Sequence, residues 1–416
     1  MKRTISLGVL ILALTVGGFP QPTSAAEDYW PGWLGPERNG WVKDFKPPQR
    51  WPAELKKVWS VKVGAGYGTP LVAKGRVWQH GREGEDEVVT CMDLATGKAL
   101  WNQRYPTPFK IGGGAEKHGK GPKGSPVYAD GRVFVMSIHG TLSAWDARTG
   151  KYLWKSDLQK GFSPPHPFWG SSTSPIVDGN RVIAHFGNDK TGVLAAHDAA
   201  TGKVVWKQGN DGTCYSSPLL VTHQGVRQII EWNHRVLAGI ESKTGKLLWE
   251  HPFPHKTHNQ NMPTPSFHDG QILLGAENRG LHGLSPKLKD GKWSVTKNWS
   301  QKETPLDMSS AVINDGLLYG MSHYKLGQLF CLDPKNGKIL WTSPPRTGNN
   351  VMFLSLPGHV LALINTGEVR VIKAQGASYQ PVASWKVADG GTWAPPVLLQ
   401  NGLLIKDREH LTRWAF

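Results

Sequence analysis

Eight places along the chain carry side chains of the kinds that hold a flat or sugar-like molecule: Tyr67, Lys123, Trp169 with Ser171, Cys214 with Tyr215, Asn259 with Asn261, Asp307, Asn349 with Asn350, and Trp393. Aromatic faces stack, carboxamides and a lysine supply oriented hydrogen bonds, and one carboxylate is available to accept a proton. The plainer reading of the same residues is a polar mouth in which strand ends hydrogen-bond to water while Trp169 and Trp393 pack loops. Other chemistry finds little foothold. Gly114-Ala-Glu-Lys-His-Gly-Lys120-Gly121 nearly spells a phosphate loop, but Gly121 stands where Ser or Thr would ligate magnesium, and a Pro-bearing strand follows where a helix is needed; a solvated loop is expected. His251, His255 and His258 share one inserted stretch without a regular spacing or a fourth ligand, so no metal is expected there. Neither a Gly-x-Ser-x-Gly elbow nor a His-Glu-x-x-His helix occurs.

What positions the eight places is a repeat. Ala144-Trp145-Asp146-Ala147-Arg148-Thr149-Gly150-Lys151-Tyr152-Leu153-Trp154 returns as Cys91 to Trp101, Ala196 to Trp206, Gly239 to Trp249 and Cys331 to Trp341. Asp, then Thr three residues on, then Gly, then Trp four further describes two strands joined by a tight turn. The carboxylate of Asp93, Asp146, Asp198 or Asp333 accepts turn amides, and Gly supplies the positive φ. Upstream, Asp130-Gly131 and His139-Gly140 punctuate two further alternating runs, so each repeat reads as a four-stranded antiparallel meander. The closing tryptophans Trp59, Trp101, Trp154, Trp206, Trp249, Trp299, Trp341 and Trp385 fall at intervals of 42 to 53 residues, the period of propeller blades. Seven intervals make seven blades. The tail from Lys386 to Phe416 holds three more strands, and the lone strand Leu55 to Val63 supplies its missing outer one, giving an eighth blade and a closed ring. The expected fold is therefore an all-β, eight-bladed propeller of four-stranded antiparallel blades closed by an N-terminal strand, with seven blades if that strand does not pair. The repeat register puts these eight places where each inter-blade connection enters an inner strand, at the mouth of the central channel. The connections Asn102 to Gly124, Lys155 to Ser172 and Glu250 to Met262 are the long ones, which marks their rim as the working face.

Composition sets the setting. The 416 residues hold 49 Gly, 30 Pro and 19 Trp, which suits a turn-dense β protein with a docked aromatic per repeat. Lys2-Arg3, an apolar run from Ile5 to Val16 and small residues up to Ala25 read as a secretory signal over residues 1–25, followed by a Trp/Pro/Gly-rich lead-in over 26–54 and the propeller over 55–416. No other stretch is long and apolar enough for a membrane helix, so an exported, periplasmic or otherwise extracytoplasmic soluble monomer is expected. No lipobox cysteine stands at the cleavage point. Cys91 and Cys331 occupy the same register in different repeats and Cys214 lies in a loop junction, so no disulfide is expected. Removing Lys2 and Arg3 takes the formal charge from +16 to +14. Lys98, Lys151, Lys203, Lys246 and Lys338 spread that charge around a rim rather than gathering it into a nucleic-acid patch; with export, this argues against a nucleic-acid partner and toward an envelope protein or polysaccharide.

The pattern Ala-x-Asp-x-x-Thr-Gly-Lys-x-x-Trp resembles the signature of the pyrroloquinoline-quinone-like (PQQ-like) repeat, with degenerate copies at Gly283 to Trp299 and Val371 to Trp385. The lead-in Trp30-x-x-Trp33-x-Gly35-Pro36-x-Arg38-x-Gly40 is also similar to that of exported propellers of this family. The resemblance covers the mature chain and implies an eight-bladed propeller related both to quinoprotein alcohol dehydrogenases and to the propeller of the outer-membrane assembly machinery (BamB). A dehydrogenase of that kind would use PQQ and calcium, with Asp307 as base, Asn261 and Asp307 as calcium ligands and Trp169 as floor. The adjacent-cysteine disulfide and the long insertions of many such enzymes are missing here. The expected function is thus a non-catalytic exported propeller without a cofactor, binding an envelope component through its loop face, with a PQQ- and calcium-dependent alcohol or sugar dehydrogenase as the alternative.

Overall fold

The structure, a computed structural model, describes residues 28–256 and 260–416; the expected signal segment, His258 and Asn259 lie outside the described residues. The described residues form eight four-stranded antiparallel sheets. Blade 1 is Leu71–Ala73, Arg76–Glu83, Asp86–Asp93 and Ala99–Pro106, from the inner to the outer strand. Blades 2 to 7 repeat this order over residues 127–155, 176–208, 219–252, 266–301, 312–342 and 351–386. Blade 8 takes Val397–Leu399, Gly402–Lys406 and His410–Ala415 from the C-terminus and its outer strand, Lys56–Lys62, from the N-terminal part of the chain. The closing strand pairs from Lys56 opposite Ala415 to Lys62 opposite His410. With this pairing no blade ends on an unclosed seam.

The turn motif folds as its residue types require. The carboxylate of Asp146 accepts the amides of Arg148 and Thr149 and the Thr149 hydroxyl, and Asp93 and Asp198 bind Thr96 and Thr201 in the same way. The threonine hydroxyls, then the turn amides, hold all three carboxyls below their ordinary range. The glycine does more than turn the chain. At Gly97, Gly150, Gly202 and Gly245, φ lies between 72° and 76°, and a Cβ at any of them would lie 2.6–2.8 Å from Trp59, Trp101, Trp154 or Trp206 of the preceding blade. Each of these indoles donates to a carbonyl of the turn it covers: Leu94, Ala147, Ala199 and Ser242, at 3.0–3.2 Å. The tryptophan is therefore a latch from one blade to the next.

A β-bulge just before the tryptophan aims it. Val58, Leu100, Leu153 and Val205 are the unpaired residues, and two residues opposite one bend the outer strand so that the indole leaves its own sheet while the bulged apolar side chain faces solvent. Trp249 departs from the rule and donates to Gln228 of its own blade, because blade 5 carries a longer outer hairpin, Gly280–Lys289 with Lys292–Gln301, in place of a Thr-Gly-Lys turn. The buried apolar side chains accordingly form layers between blades. Trp78, Val89 and Cys91 meet Tyr128, Val133 and Trp145 between blades 1 and 2, and one larger layer spans the seam from blade 7 through blade 8 to blade 1. All three cysteines are buried free thiols, Cys91 in blade 1, Cys331 in blade 6 and Cys214 before blade 4.

The lead-in is a plug. Between residues 28 and 42 it touches the inner part of every blade. Asp28 accepts Gln400 N–H, Trp30 exchanges two backbone hydrogen bonds with Val72, and the Pro31 carbonyl accepts Tyr128 N–H. Trp33 donates to the Thr264 hydroxyl, and the Arg38 guanidinium donates to the carbonyls of Ser174, Pro175 and Pro218. Gly40, whose Cβ would lie 2.8 Å from Val312, and Val42 pair with Ser355. Burial against these carbonyls brings the Arg38 guanidinium down to about 9. The segment lies across the channel, and the remainder of the lead-in packs Phe45 and Trp51 against Trp385 and Phe416 beside the seam.

Candidate functional site

The inner strands of blades 1 to 5 begin at a recurring Ser/Thr-Pro step: Thr69-Pro70, Ser125-Pro126, Ser174-Pro175, Ser217-Pro218 and Thr264-Pro265. The hydroxyl of one blade accepts the backbone N–H of the blade before it. Ser125 accepts from Thr69, Ser174 from Ser125, Ser217 from Ser174 and Ser310 from Thr264, at 2.9–3.0 Å. This stitching fixes the inner strands around the axis, and the residues just before it line the channel mouth.

A cavity of about 310 Å³ sits there. Its walls are Tyr67, Lys123, Trp169, Tyr215 and Trp393, which are five of the expected mouth residues, together with Trp33 of the plug, Met262, Met308 and Met352. Trp169 packs on Tyr215 with centroids 5.7 Å apart, its backbone N–H donates to the Tyr215 phenol oxygen at 3.3 Å, and its indole N–H donates to Gly113 at 3.1 Å. Trp393 meets Tyr67 at 6.2 Å and His118 edge-on at 4.7 Å. The Lys123 ammonium donates to the Trp169 carbonyl at 2.6 Å, and burial brings it down to about 8. Burial likewise raises the phenols of Tyr67 and Tyr215. No Asp or Glu lines the cavity.

Six other expected mouth residues are not on the cavity wall, three of them by a single position. Ser171 N–H donates to Ile138 and its neighbour Ser172 faces the cavity. Asn261 is fully buried, its carboxamide donating to the carbonyls of Asn233 and Phe253 and its own carbonyl accepting from Tyr215 and Ser216, while Met262 faces the cavity. Asp307 stands behind Met308, its carboxyl raised to about 6 by burial and then by Glu277. Because strand side chains alternate, a one-residue slip at the end of an irregular connection exchanges the two faces. Asn349 lies in a shallower depression with Asn365, Asp389 and Arg408, and Asn350 bonds Ser309. Cys214 accepts the Asn261 N–H at 3.1 Å, and burial pushes its thiol to about 12.

Trp33 and the three methionines escaped the sequence reading. The Ser/Thr-Pro step would have found most of the lining, since Tyr67, Lys123, Ser172, Tyr215, Met262 and Trp393 all stand three residues before its proline or the equivalent Pro396. The near-phosphate loop, expected as a solvated loop, instead folds over the mouth and lends Gly114, Ala115 and His118 to its wall. His255 packs tilted against His234 with centroids 4.3 Å apart, whereas His251 pairs opposite Leu237 in an outer hairpin; among the described residues no three His, Cys, Asp or Glu gather as metal ligands.

Ring, latch and plugged channel define an eight-bladed β-propeller whose mouth is a blind, aromatic-walled cavity. Residues 85–343, more than half of the chain, match the family described as "Outer membrane protein assembly factor BamB", and the chain belongs to that family. It is 24% identical over 353 residues to the assembly factor BamB of Yersinia pestis, covering 80% of this chain and 83% of that one. It is also 27% identical over 238 residues to the dehydrogenase subunit of a quinone alcohol dehydrogenase from Gluconacetobacter polyoxogenes, but spans only 31% of that protein's length against 50% of its own. Among solved structures, BamB of Moraxella catarrhalis superposes with a TM-score of 0.62 at 17% identity, covering 88% of this chain and 98% of that one. The quinohemoprotein alcohol dehydrogenase of Comamonas testosteroni superposes with a TM-score of 0.65 at 14% identity, covering 95% and 81%. These superpositions share the fold, and the relatives divide between an assembly factor and enzymes.

Proposed function

We propose that this chain is an exported, non-catalytic propeller that binds a protein of the cell envelope through its loop face. The observation that carries the reading is the make-up of that face. Phe168, 54% exposed, on the connection into blade 3, and Leu326, 60% exposed, beside Tyr324 in blade 6, are the two most exposed large apolar side chains among the described residues, and both stand on the loop rim, where they can anchor a protein contact. The turn rim opposite presents the Thr-Gly-Lys lysines, which are exposed. Family membership and the 83% coverage of the Yersinia pestis assembly factor support the same reading. Among the described residues no helix is long and apolar enough to cross a membrane. The test is a photo-crosslinking residue placed at Phe168 or Leu326 and, as control, at Lys98 or Lys203, in cells of the source organism. A discrete adduct from the loop-face positions alone is expected; equal adducts from both faces, or none, would overturn the assignment.

The second reading, a PQQ- and calcium-dependent alcohol or sugar dehydrogenase, draws on the aromatic walls of the mouth and on the named dehydrogenase relatives. The donor set does not suit it. Calcium takes oxygen ligands including carboxylates, whereas no carboxylate lines the cavity and Asp307 stands behind Met308; the Asn261 amide oxygen, buried without a hydrogen-bond partner, is a donor of the right kind but lies off the cavity wall. Dye reduction by the purified protein with PQQ, calcium and alcohols or sugars would restore this reading.

A further inference from the structure

Two lysines among the described residues are drawn into the fold, Lys406 fully buried and Lys123 half-buried at the mouth, and they are held differently. Lys406, which burial lowers to about 7, gives its ammonium to three carbonyls, those of Gly64, Gly66 and Asp407 at 2.7–3.2 Å, so all three of its protons are tied into the fold. Lys123 has one acceptor, the Trp169 carbonyl, and lines a cavity walled by Trp33, Trp169, Trp393 and three methionines with no carboxylate among the lining residues. An amine held in an apolar pocket without a counter-ion is the arrangement that activates lysine as a nucleophile toward carbonyl carbon.

We propose that Lys123 captures an aromatic aldehyde in the mouth cavity as a reversible imine. The amine lone pair attacks the carbonyl carbon, a C=N bond replaces the C=O bond, the oxygen leaves as water with both protons of the neutral amine, and a proton from solvent on the nitrogen gives the iminium, so that no oxidant or reductant is consumed. The aromatic body stacks among Trp169, Tyr215 and Trp393, for which about 310 Å³ is sufficient room, and the Trp169 carbonyl accepts the iminium N–H and orients the nitrogen. The lowered basicity of Lys123, about 8, leaves a substantial neutral fraction at pH 7 that an exposed lysine lacks. The other titratable groups on the cavity walls are Tyr67, Tyr215 and His118. The proposal is independent of the protein-binding reading, since it concerns the cavity and not the rim.

The test uses 2-naphthaldehyde at pH 7 with cyanoborohydride to trap the imine, followed by peptide mapping of the full chain. Trapped naphthylmethyl on Lys123 is expected to exceed that on exposed Lys98 and Lys151 by about tenfold or more, given the gap in neutral amine. Trp393→Ala should cut trapping of naphthaldehyde at Lys123 while leaving that of formaldehyde. Labelling of Lys123 no faster than of Lys98 would overturn the proposal in the wild-type chain alone. So would tight binding of 2-naphthoate, read by tryptophan quenching, with no trapping of the aldehyde, since Lys123 would then be a counter-ion. Lys123→Arg, which keeps the charge, should abolish trapping; if its tryptophan quenching by the aldehyde matched the wild type in extent and reversibility, no covalent bond would be forming.

Discussion

At the scale of the residue, the turn motif couples two jobs that a sequence displays as one. Asp146 ties its own turn, so Asp146→Ala should cost roughly 1–2 kcal/mol, as for a lost cap. Trp154 fills the groove over Gly202 and donates to Ala199, and Trp154→Ala should cost about 3–5 kcal/mol by leaving that groove empty. Gly202→Ala is the sharper test, because the new Cβ meets both a φ of 74° and the Trp154 ring at 2.6 Å. A loss of about 2–4 kcal/mol in a denaturant titration is expected, more than backbone strain alone predicts. Asp307 gives a pH signature. Its folded carboxyl is raised to about 6 from 3.8, so the folded state favours the protonated form and stability falls as pH rises from about 4 through 6. Asp307→Asn should flatten that part of a melting-temperature profile. The turn aspartates act in the opposite sense and in a lower window, their contribution being present above 3.8 and lost as pH falls further.

At the scale of the element, the seam and the plug are where the ring is vulnerable. Removing residues through Val63 deletes the outer strand of blade 8, the Trp59 latch onto blade 1 and the plug together. Light scattering on that truncation should report aggregation rather than a monomer with an unchanged melting temperature, since the exposed edge templates further pairing. Lys406 ties blade 8 to the carbonyls that precede blade 1, and Lys406→Met should cost about 1–3 kcal/mol through the unpaired acceptors it leaves. Arg38→Ala leaves three carbonyls of blades 3 and 4 unpaired beneath the mouth and should loosen the plug, read as faster hydrogen exchange at Trp30 and Val42.

At the scale of the whole molecule, the ring separates its duties by face and radius. Latches and bulges occupy the outer strands, the hydroxyl stitches the inner ones, and the variable connections the loop rim. Mutations should divide accordingly: Trp154→Ala lowers stability without changing partner capture per folded molecule, whereas Phe168→Asp with Leu326→Asp leaves the melting temperature nearly unchanged and abolishes the loop-face adduct. Capture lost in the outer-strand variant while it stays folded, and kept in the rim variant, would move the working face to the other side.

Much of this molecule was legible from its sequence because its determinants are local. An Asp-x-x-Thr-Gly turn satisfies its own amides within a few residues, and a tryptophan repeated every 42 to 53 residues counts the blades, so the eight-fold ring and its N-terminal closing strand followed from spacing alone. The mouth was legible only in part. Irregular connections carry no period, so nothing local distinguishes Ser171 from Ser172, Asn261 from Met262 or Asp307 from Met308, and a one-residue slip exchanges axis for wall. The lead-in reads as an ordered segment lying across the main body, but which groups it meets there was beyond reach for a related reason. Asp28 meets Gln400, Trp33 meets Thr264 and Arg38 meets Pro218, contacts that exist only once the ring has brought eight distant strand starts to one axis.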